Sequence, residues 1–313
     1  MAAYALRRAL AALLVVLGVV VLVFVILRLT PGDPARVLAG DNAPPDVVER
    51  VRQDLGLDQP LPVQLARYVG RLAVGDLGRS ISSRRPVLEE IAEPLRTTYQ
   101  LVVAAMLVAI VAGVPLGVLA AVHRGRALDR LLVVAAVAGA SFPSFWVGLL
   151  LIWYFSYQLG WFPISGWRSD PWTLEWWRYA VLPVLTLATV LMAPITRLTR
   201  SSMLEVLGQD YVRTARAKGL GERLVLYRHA LRNAALPVLT LTAVQFGFFL
   251  GGTVVTENVF AIPGLGRLLV DAIGLRDYPL VQAGVLIFSL TFVTINLLAD
   301  LAYGFLDPRI RYE

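Results

Sequence analysis

Six predominantly apolar stretches dominate this chain: about 9–29, 99–122, 131–159, 180–196, 235–256 and 281–306. Each is close to the roughly 20 residues a helix needs to cross a bilayer. In hydrocarbon every backbone N–H and C=O must be satisfied within the segment, so such stretches fold as helices. The first follows Arg7 and Arg8 as in a signal peptide. Its apolar run far exceeds the roughly 7–15 residues of a cleavable core, and it reads as a retained anchor. Charged residues are 16% of the 313, against about 25% in an ordinary soluble domain. That excludes a soluble α/β enzyme and a disordered chain. There is no Cys, hence no disulfide, thiolate metal site or cysteine nucleophile. His123 and His229 lie far apart without neighbouring ligands, so no metal site is expected.

Basic short connections stay in the cytoplasm. The turn from His123 to Arg130 and the longer stretch from Arg197 to Arg232, with both termini, hold 15 basic and 6 acidic residues, net +9. The opposite side holds 13 basic and 15 acidic, net −2. The expectation is six spanning helices with both termini cytoplasmic. The basic excess is a topology signal; nucleic-acid binding would want a basic face on a soluble module.

Two connections exceed a simple hairpin, dividing the chain into 1–29 (N-terminus and first helix), 30–98 (external loop) and 99–313 (helices two to six). The external loop opens with the turn cluster Pro31-Gly32-Asp33-Pro34. Two short amphipathic patterns follow, one after Pro44-Pro45 and ending at Gly56, the other after Pro62 with Leu65, Tyr68, Val69 and Leu72 on one face. They read as a small extracytoplasmic cap or as helices lying on the bilayer. The cytoplasmic stretch, about 199–234, reads as helix, tight turn, helix. Asp210 caps a short helix carrying Arg213, Ala215, Arg216 and Lys218, and Gly219 ends it in a left-handed turn. Beyond Gly221 a second helix leads through Pro237 into the fifth stretch.

The run Asp210-Tyr-Val-Arg-Thr-Ala-Arg-Ala-Lys-Gly-Leu220, continued by Arg228-His-Ala-Leu-Arg-Asn233, resembles the EAA loop by which ABC import permeases dock their ATPases. The form is that of the membrane subunit of dipeptide, oligopeptide and nickel importers. The resemblance extends through Pro31-Gly32-Asp33-Pro34, Gly75-Asp76-Leu77-Gly78 and Phe142-Pro143-Ser144-Phe145. It continues through Pro263-Gly264-Leu265-Gly266, Arg276-Asp277-Tyr278-Pro279, Asp300-Leu-Ala-Tyr303 and Asp307-Pro-Arg-Ile-Arg-Tyr312. Arg213-Thr214-Ala215 replaces Glu-Ala-Ala, and Leu236-Pro237 lies further from Gly219 than in the general motif; both narrow the subfamily. Pro94-Leu95-Arg96-Thr97-Thr98 exchanges the Pro and Arg of the relatives' Arg-Leu-Pro-x-Thr.

The resemblance implies an all-α integral membrane protein of the ABC type I importer kind, in a bacterial inner membrane. It implies a permease forming half of a pathway for di- or oligopeptides or nickel complexes. It also implies a second homologous permease subunit, two ATPase subunits or domains and an extracytoplasmic substrate-binding protein. The loop residues it assigns to ATPase coupling are Asp210, Tyr211, Arg213, Ala215, Arg216, Lys218, Gly219, His229 and Asn233, with Gly219 and Ala215 sharing the docking face. The residues agree that the chain has no engine of its own: Gly-x-x-x-x-Gly-Lys, Gly-x-Ser-x-Gly and His-Glu-x-x-His are all absent. No enzymatic activity and no cofactor are expected in this chain, with ATP and Mg in the partners. A self-contained secondary carrier or channel is the alternative, and a non-transporting scaffold ranks below both; a carrier would be expected to show inverted repeats and a midplane ion site.

For the pathway, the fifth stretch carries Gln245, Thr253 and Thr256 and ends at Glu257-Asn258; polar groups at membrane depth face a bundle interior or a wet cavity. Gln245, Thr253, Glu257 and Asn258 are the candidates, with interhelical hydrogen bonding an equal reading for Thr253. Gly113-x-x-x-Gly117 and Gly247-x-x-x-Gly251 are expected to pack closely against other helices, and Pro115, Pro143, Pro183 and Pro194 to bend theirs. Asp300 needs a partner such as Arg309, and Arg28 is expected to snorkel at the outer interface. The seven Trp residues around the third stretch and the loop after it suggest an interfacial belt.

Overall fold

The computed structural model describes residues 2–40, 42–168, 170–171 and 173–306, without the side chains of 2–7, 9, 140 and 299–306. Trp172 and the run from Asp307 to Tyr312, Arg309 included, lie outside the described residues, as does the Asp300 side chain. Among the described residues the protein is helical throughout, with one antiparallel bridge between Arg79 and Pro86. Five helices are long and apolar enough to cross a membrane: Leu10–Leu29, Val87–Val122, Leu174–Leu207, Glu222–Val259 and Tyr278–Leu298. A bent pair, Ala127–Gly139 with Ser144–Gln158, makes a sixth if counted as one span.

In that pair the bend expected at Pro143 is a full break in the third apolar stretch. α6 (Ala127–Ser141) and α7 (Ser144–Leu151) are bent by 99° about Phe142-Pro143. Proline lacks an amide donor, and its ring forces the residue before it out of the helical region. Phe142 accordingly sits at φ −86°, ψ 136°. Pro115, Pro183 and Pro194 lie inside helices that continue past them.

The chain forms two compact units. The first comprises residues 1–98 and 263–293. Here α1 (Ala2–Leu29) exposes Leu13, Leu14, Leu22 and Leu29 and buries Val20 and Phe24. α2 (Pro34–Ala39) starts where Asp33 accepts the Ala35 N–H at 3.0 Å, with Pro34 in the first turn, where its missing donor costs nothing. α3 (Pro45–Asp54) and α4 (Leu61–Ala73) are the two amphipathic helices expected, each with Pro in the first turn. α5 (Val87–Val122) starts twelve residues before the second apolar stretch, at Val87, because the Val87 N–H finds Gly78 O at 3.1 Å and Glu89 and Glu90 suit a helix N-terminus. Val87 and Ile91 pack with Leu265 and Leu269 of α12 (Leu265–Gly274) and Leu280 and Val281 of α13 (Tyr278–Leu306).

Three of the sequence motifs meet in this unit. Asp277 is fully buried, and its carboxylate accepts Ser80 Oγ at 2.5 Å, Ser82 Oγ at 3.0 Å, Ser82 N at 3.1 Å and Leu280 N at 3.3 Å. Arg276 donates to Pro31 O, and Asp76 accepts the Gly78 N–H at 2.8 Å. Arg28 finds partners within the protein. Its Nε donates to Gln64 Oε1 at 2.9 Å and its guanidinium lies 3.6 Å from the Phe24 ring centre, so the protein supplies the partners that lipid headgroups would otherwise provide. Beside it, burial pushes the Tyr68 phenol up to about 12.

The second unit comprises, among the described residues, 99–262 and 294–306. α8 (Leu174–Leu207), capped by Thr173 accepting the Trp176 N–H at 3.1 Å, runs through its centre. Leu182, Leu187, Leu191 and Ile195 of α8 pack with Leu101, Ala105 and Ala109 of α5. Trp176 is fully buried here, in edge-to-face contact with Trp167 and Trp177, and is a core residue and not part of a belt; Trp146, Trp153 and Trp161 are exposed. After α8 come α9 (Asp210–Ala217), the single turn α10 (Glu222–Leu224), a wide π-turn over Val225–Ala230, and α11 (Leu231–Val259).

Candidate coupling surface

α9 begins with Gln209 at the cap position, extended at φ −75°, ψ 149°. Asp210 is therefore the first helical residue and not the cap, and no side chain bonds the free N–H groups. Its carboxylate still suits the helix N-terminus, and it lies 3.5 Å from Arg213. The helix stops because Gly219 turns left-handed at φ +76°, its N–H bonding Arg216 O at 2.9 Å. A Cβ at Gly219 would meet nothing within 4 Å, so conformation alone demands glycine there.

α9 is amphipathic over two turns. Val212 and Ala215 turn inward against Val225, with Val206, Leu207 and Leu220 around them. Tyr211, Arg213, Thr214, Arg216, Ala217, Lys218 and Gly219 are exposed. Ala215 and Gly219 thus do not share one outward face: Ala215 is 7% exposed and belongs to the loop's own small core. Val212, Val225 and Glu222, which the sequence reading passed over, complete that core and its rim. The i, i+3 spacing of Val212 and Ala215 between Asp210, Arg213 and Arg216 was the available signal.

Two polar contacts hold α9 to the helical rod that leads into the membrane. Asn233 Nδ2 donates to Tyr211 Oη at 2.7 Å. Arg216 forks onto Glu222 with Nη2 to Oε1 at 2.7 Å and Nε to Oε2 at 3.2 Å, and this bond raises the Arg216 pKa above its ordinary value. His229 lies half-buried in the π-turn. The arrangement is a short exposed helix seated by an apolar patch and two tethers.

The candidate pathway residues are not brought together on one face. Thr253 and Glu257, one turn apart on α11, are fully buried, and Thr253 Oγ1 donates to Leu250 O of its own helix at 3.1 Å. Asn258 is exposed and donates to Val254 O at 2.8 Å; Gln245 is half-buried. The two Gly-x-x-x-Gly pairs also differ. A Cβ at Gly117 would lie 2.6 Å from Thr199 Cβ, whereas one at Gly251 would meet nothing within 4 Å.

Similarity to known proteins runs along the whole chain. The family model described as binding-protein-dependent transport system inner membrane component matches residues 113–312, and the model of the N-terminal part of such membrane components matches residues 1–102. The glutathione transport system permease protein GsiC of Salmonella paratyphi A (strain ATCC 9150 / SARB42) is 49% identical over 310 residues, 99% of both chains. The protein of the same name from Escherichia coli (strain K12) is 48% identical over 310 residues. A chain of the MetNI methionine ABC transporter, in inward-facing conformations, is similar over 71% of this chain and 98% of its own, with a TM-score of 0.56 and 18% identity. That last likeness concerns the fold.

Proposed function

Because the chain belongs to the family of binding-protein-dependent transport system inner membrane components and is the permease subunit of an ABC importer of the peptide type, we propose that its cargo is a short peptide of the glutathione class. We further propose that exposed α9 is the surface on which an ATPase pushes. The observation that carries the coupling reading is the seating of α9, by the Val212–Ala215–Val225 patch and the Tyr211–Asn233 and Arg216–Glu222 tethers, on the rod running from Glu222 to Val259. The substrate reading draws its support from the 49% identity to a glutathione permease over 99% of both chains.

As an inner-membrane multi-pass subunit the chain works with ATPase and substrate-binding partners. The finer assignments are ours: six spans with both termini cytoplasmic, α3 and α4 in an extracytoplasmic cap, and a second homologous permease chain completing the pathway. Two ATPase subunits or domains hold the ATP and Mg, this chain performing no catalysis and holding no cofactor or metal. Lipid covers the exposed face of α1. Gln245, Thr253, Glu257 and Asn258 border the pathway, Thr253 and Glu257 as buried supports. Replacing Gln245 by Leu is the direct probe of that border. The carrier or channel alternative is not favoured by the family match.

The test is uptake into vesicles holding the permease pair, with ATP inside and the binding protein outside. ATP-dependent uptake of glutathione, competed by short peptides and absent without the ATPases, is expected. Nickel uptake without glutathione uptake would overturn the substrate reading, and uptake without ATPases would overturn the coupling reading.

A further inference from the structure

We propose that Asp129 and Arg200 are positioning residues for coupling: their ion pair makes the turn between α5 and α6 travel with the inner end of α8. The inference rests on reading α9 as the surface an ATPase moves. Arg200 lies about two turns before α8 ends at Leu207, and α9 follows at Asp210. A push on α9 therefore reaches α8 as well as α11, through the short link at Gly208 and Gln209, and the clamp lies about two turns along α8 from that link.

The geometry is that of a built contact. Arg200 Nε donates to Asp129 Oδ1 at 2.6 Å and Nη2 to Oδ2 at 2.8 Å, while the Gly125 N–H donates to the same Oδ2 at 2.9 Å. The Asp129 side chain is only 6% exposed. A planar guanidinium fork fixes direction as well as distance, which an ammonium cannot. Along the same helices, α5 and α8 nearly touch: Thr196 Oγ1 donates to Gly113 O at 3.2 Å, and a Cβ at Gly117 would lie 2.7 Å from Thr196 O. Packing stops the two helices from separating. The clamp adds what smooth packing of small residues lacks, a directional stop against sliding, and extends it to the first turn of α6. Neither residue falls in the runs Asp210–Leu220 and Arg228–Asn233 that carry the resemblance.

The experiment uses the full complex in vesicles, with permease pair, ATPases and binding protein, and reads uptake per ATP hydrolysed. Asp129→Asn, near-isosteric, Arg200→Lys, which keeps the charge but not the fork, and the exchange Asp129→Arg with Arg200→Asp are compared with Gly219→Leu. The expected result is insertion and ATPase attachment at wild-type level for the single variants, a fall of about tenfold in uptake per ATP, and recovery in the exchanged pair. Wild-type uptake per ATP in both single variants overturns the inference. So do loss of insertion in both, which would make the pair merely structural, and failure of the exchange to recover coupling. If Gly219→Leu uncouples while the clamp variants do not, only this inference falls; if Gly219→Leu also transports normally with ATPases bound, the reading of α9 falls with it.

Discussion

Asn233 donates to the phenol oxygen of Tyr211 at 2.7 Å, bonding the first turn of α9 to the third residue of α11 across 22 residues of chain. Because the bond is exposed, its net worth is about 0.5–1.5 kcal/mol, and its role is directional. Tyr211→Phe and Asn233→Leu are each expected to lower uptake per ATP a few-fold, and the double variant no more than either alone. A double-mutant cycle on reconstituted transport checks this; strictly additive losses would show that the two residues act separately.

Gly219→Leu forces a side chain into a left-handed residue, φ +76°, at a cost of roughly 1–2 kcal/mol. The expected outcome is an inserted protein that still receives the binding protein but holds its ATPases weakly or hydrolyses ATP without uptake. Co-purification stoichiometry and transport measured on one preparation decide it, and normal values of both would place the docking surface elsewhere.

Ala215 and Ala217 lie on the same short helix but face opposite ways, the first buried and the second exposed. Ala215→Trp is expected to break the loop's small core, overpacking costing about 1–3 kcal/mol, and to expose the Arg216–Gly219 segment to protease. Ala217→Trp should leave the loop folded and obstruct only the outward face. Limited proteolysis alongside ATPase binding separates the two, and equal protease resistance would argue against the inward placement of Ala215.

Gly117→Leu drives a side chain into Thr199 Cβ, 2.6 Å from where its first carbon would lie, so a marked drop in melting temperature and in membrane yield is expected. Gly251→Ala meets nothing within 4 Å in this chain and sits inside a helix, where alanine is favoured over glycine by about 0.5–1 kcal/mol. Thermal stability of the single subunit in detergent should fall for the first and hold or rise for the second.

The chain has no native Cys, so single introduced cysteines report sidedness without background. With the termini cytoplasmic, Asp58→Cys is expected to react with an impermeant maleimide in spheroplasts and Arg216→Cys only after lysis. The opposite pattern would invert the topology.

Much of the local structure was legible. Apolar length is a property of a single segment, so the six apolar stretches follow from composition alone, and Pro143 marks in the sequence where the third one breaks. Proline and glycine at the ends of α3 and α9 act through their own backbone angles, which is why Pro45 and Gly219 could be placed before any contact was known. The similarity to import permeases was likewise carried by runs such as Asp210–Leu220. Asp210 was placed one residue early because a carboxylate suits the cap and the first helical turn almost equally, and only the extended backbone of Gln209 decides between them.

Sequence by itself determined the solvent this protein lives in, the number and approximate limits of its apolar stretches, and the helix–turn–helix after α8, since each depends on residues within a few turns of one another. Tertiary structure alone decided which way Ala215 faces, that Trp176 is core, that Arg28 is held by Gln64 and Phe24, and that Asp129 finds Arg200 71 residues away. A charge or a ring carries no mark of its partner in the local pattern. The pairing exists only once helices far apart in the chain have packed and made the desolvated group's choice of partner for it.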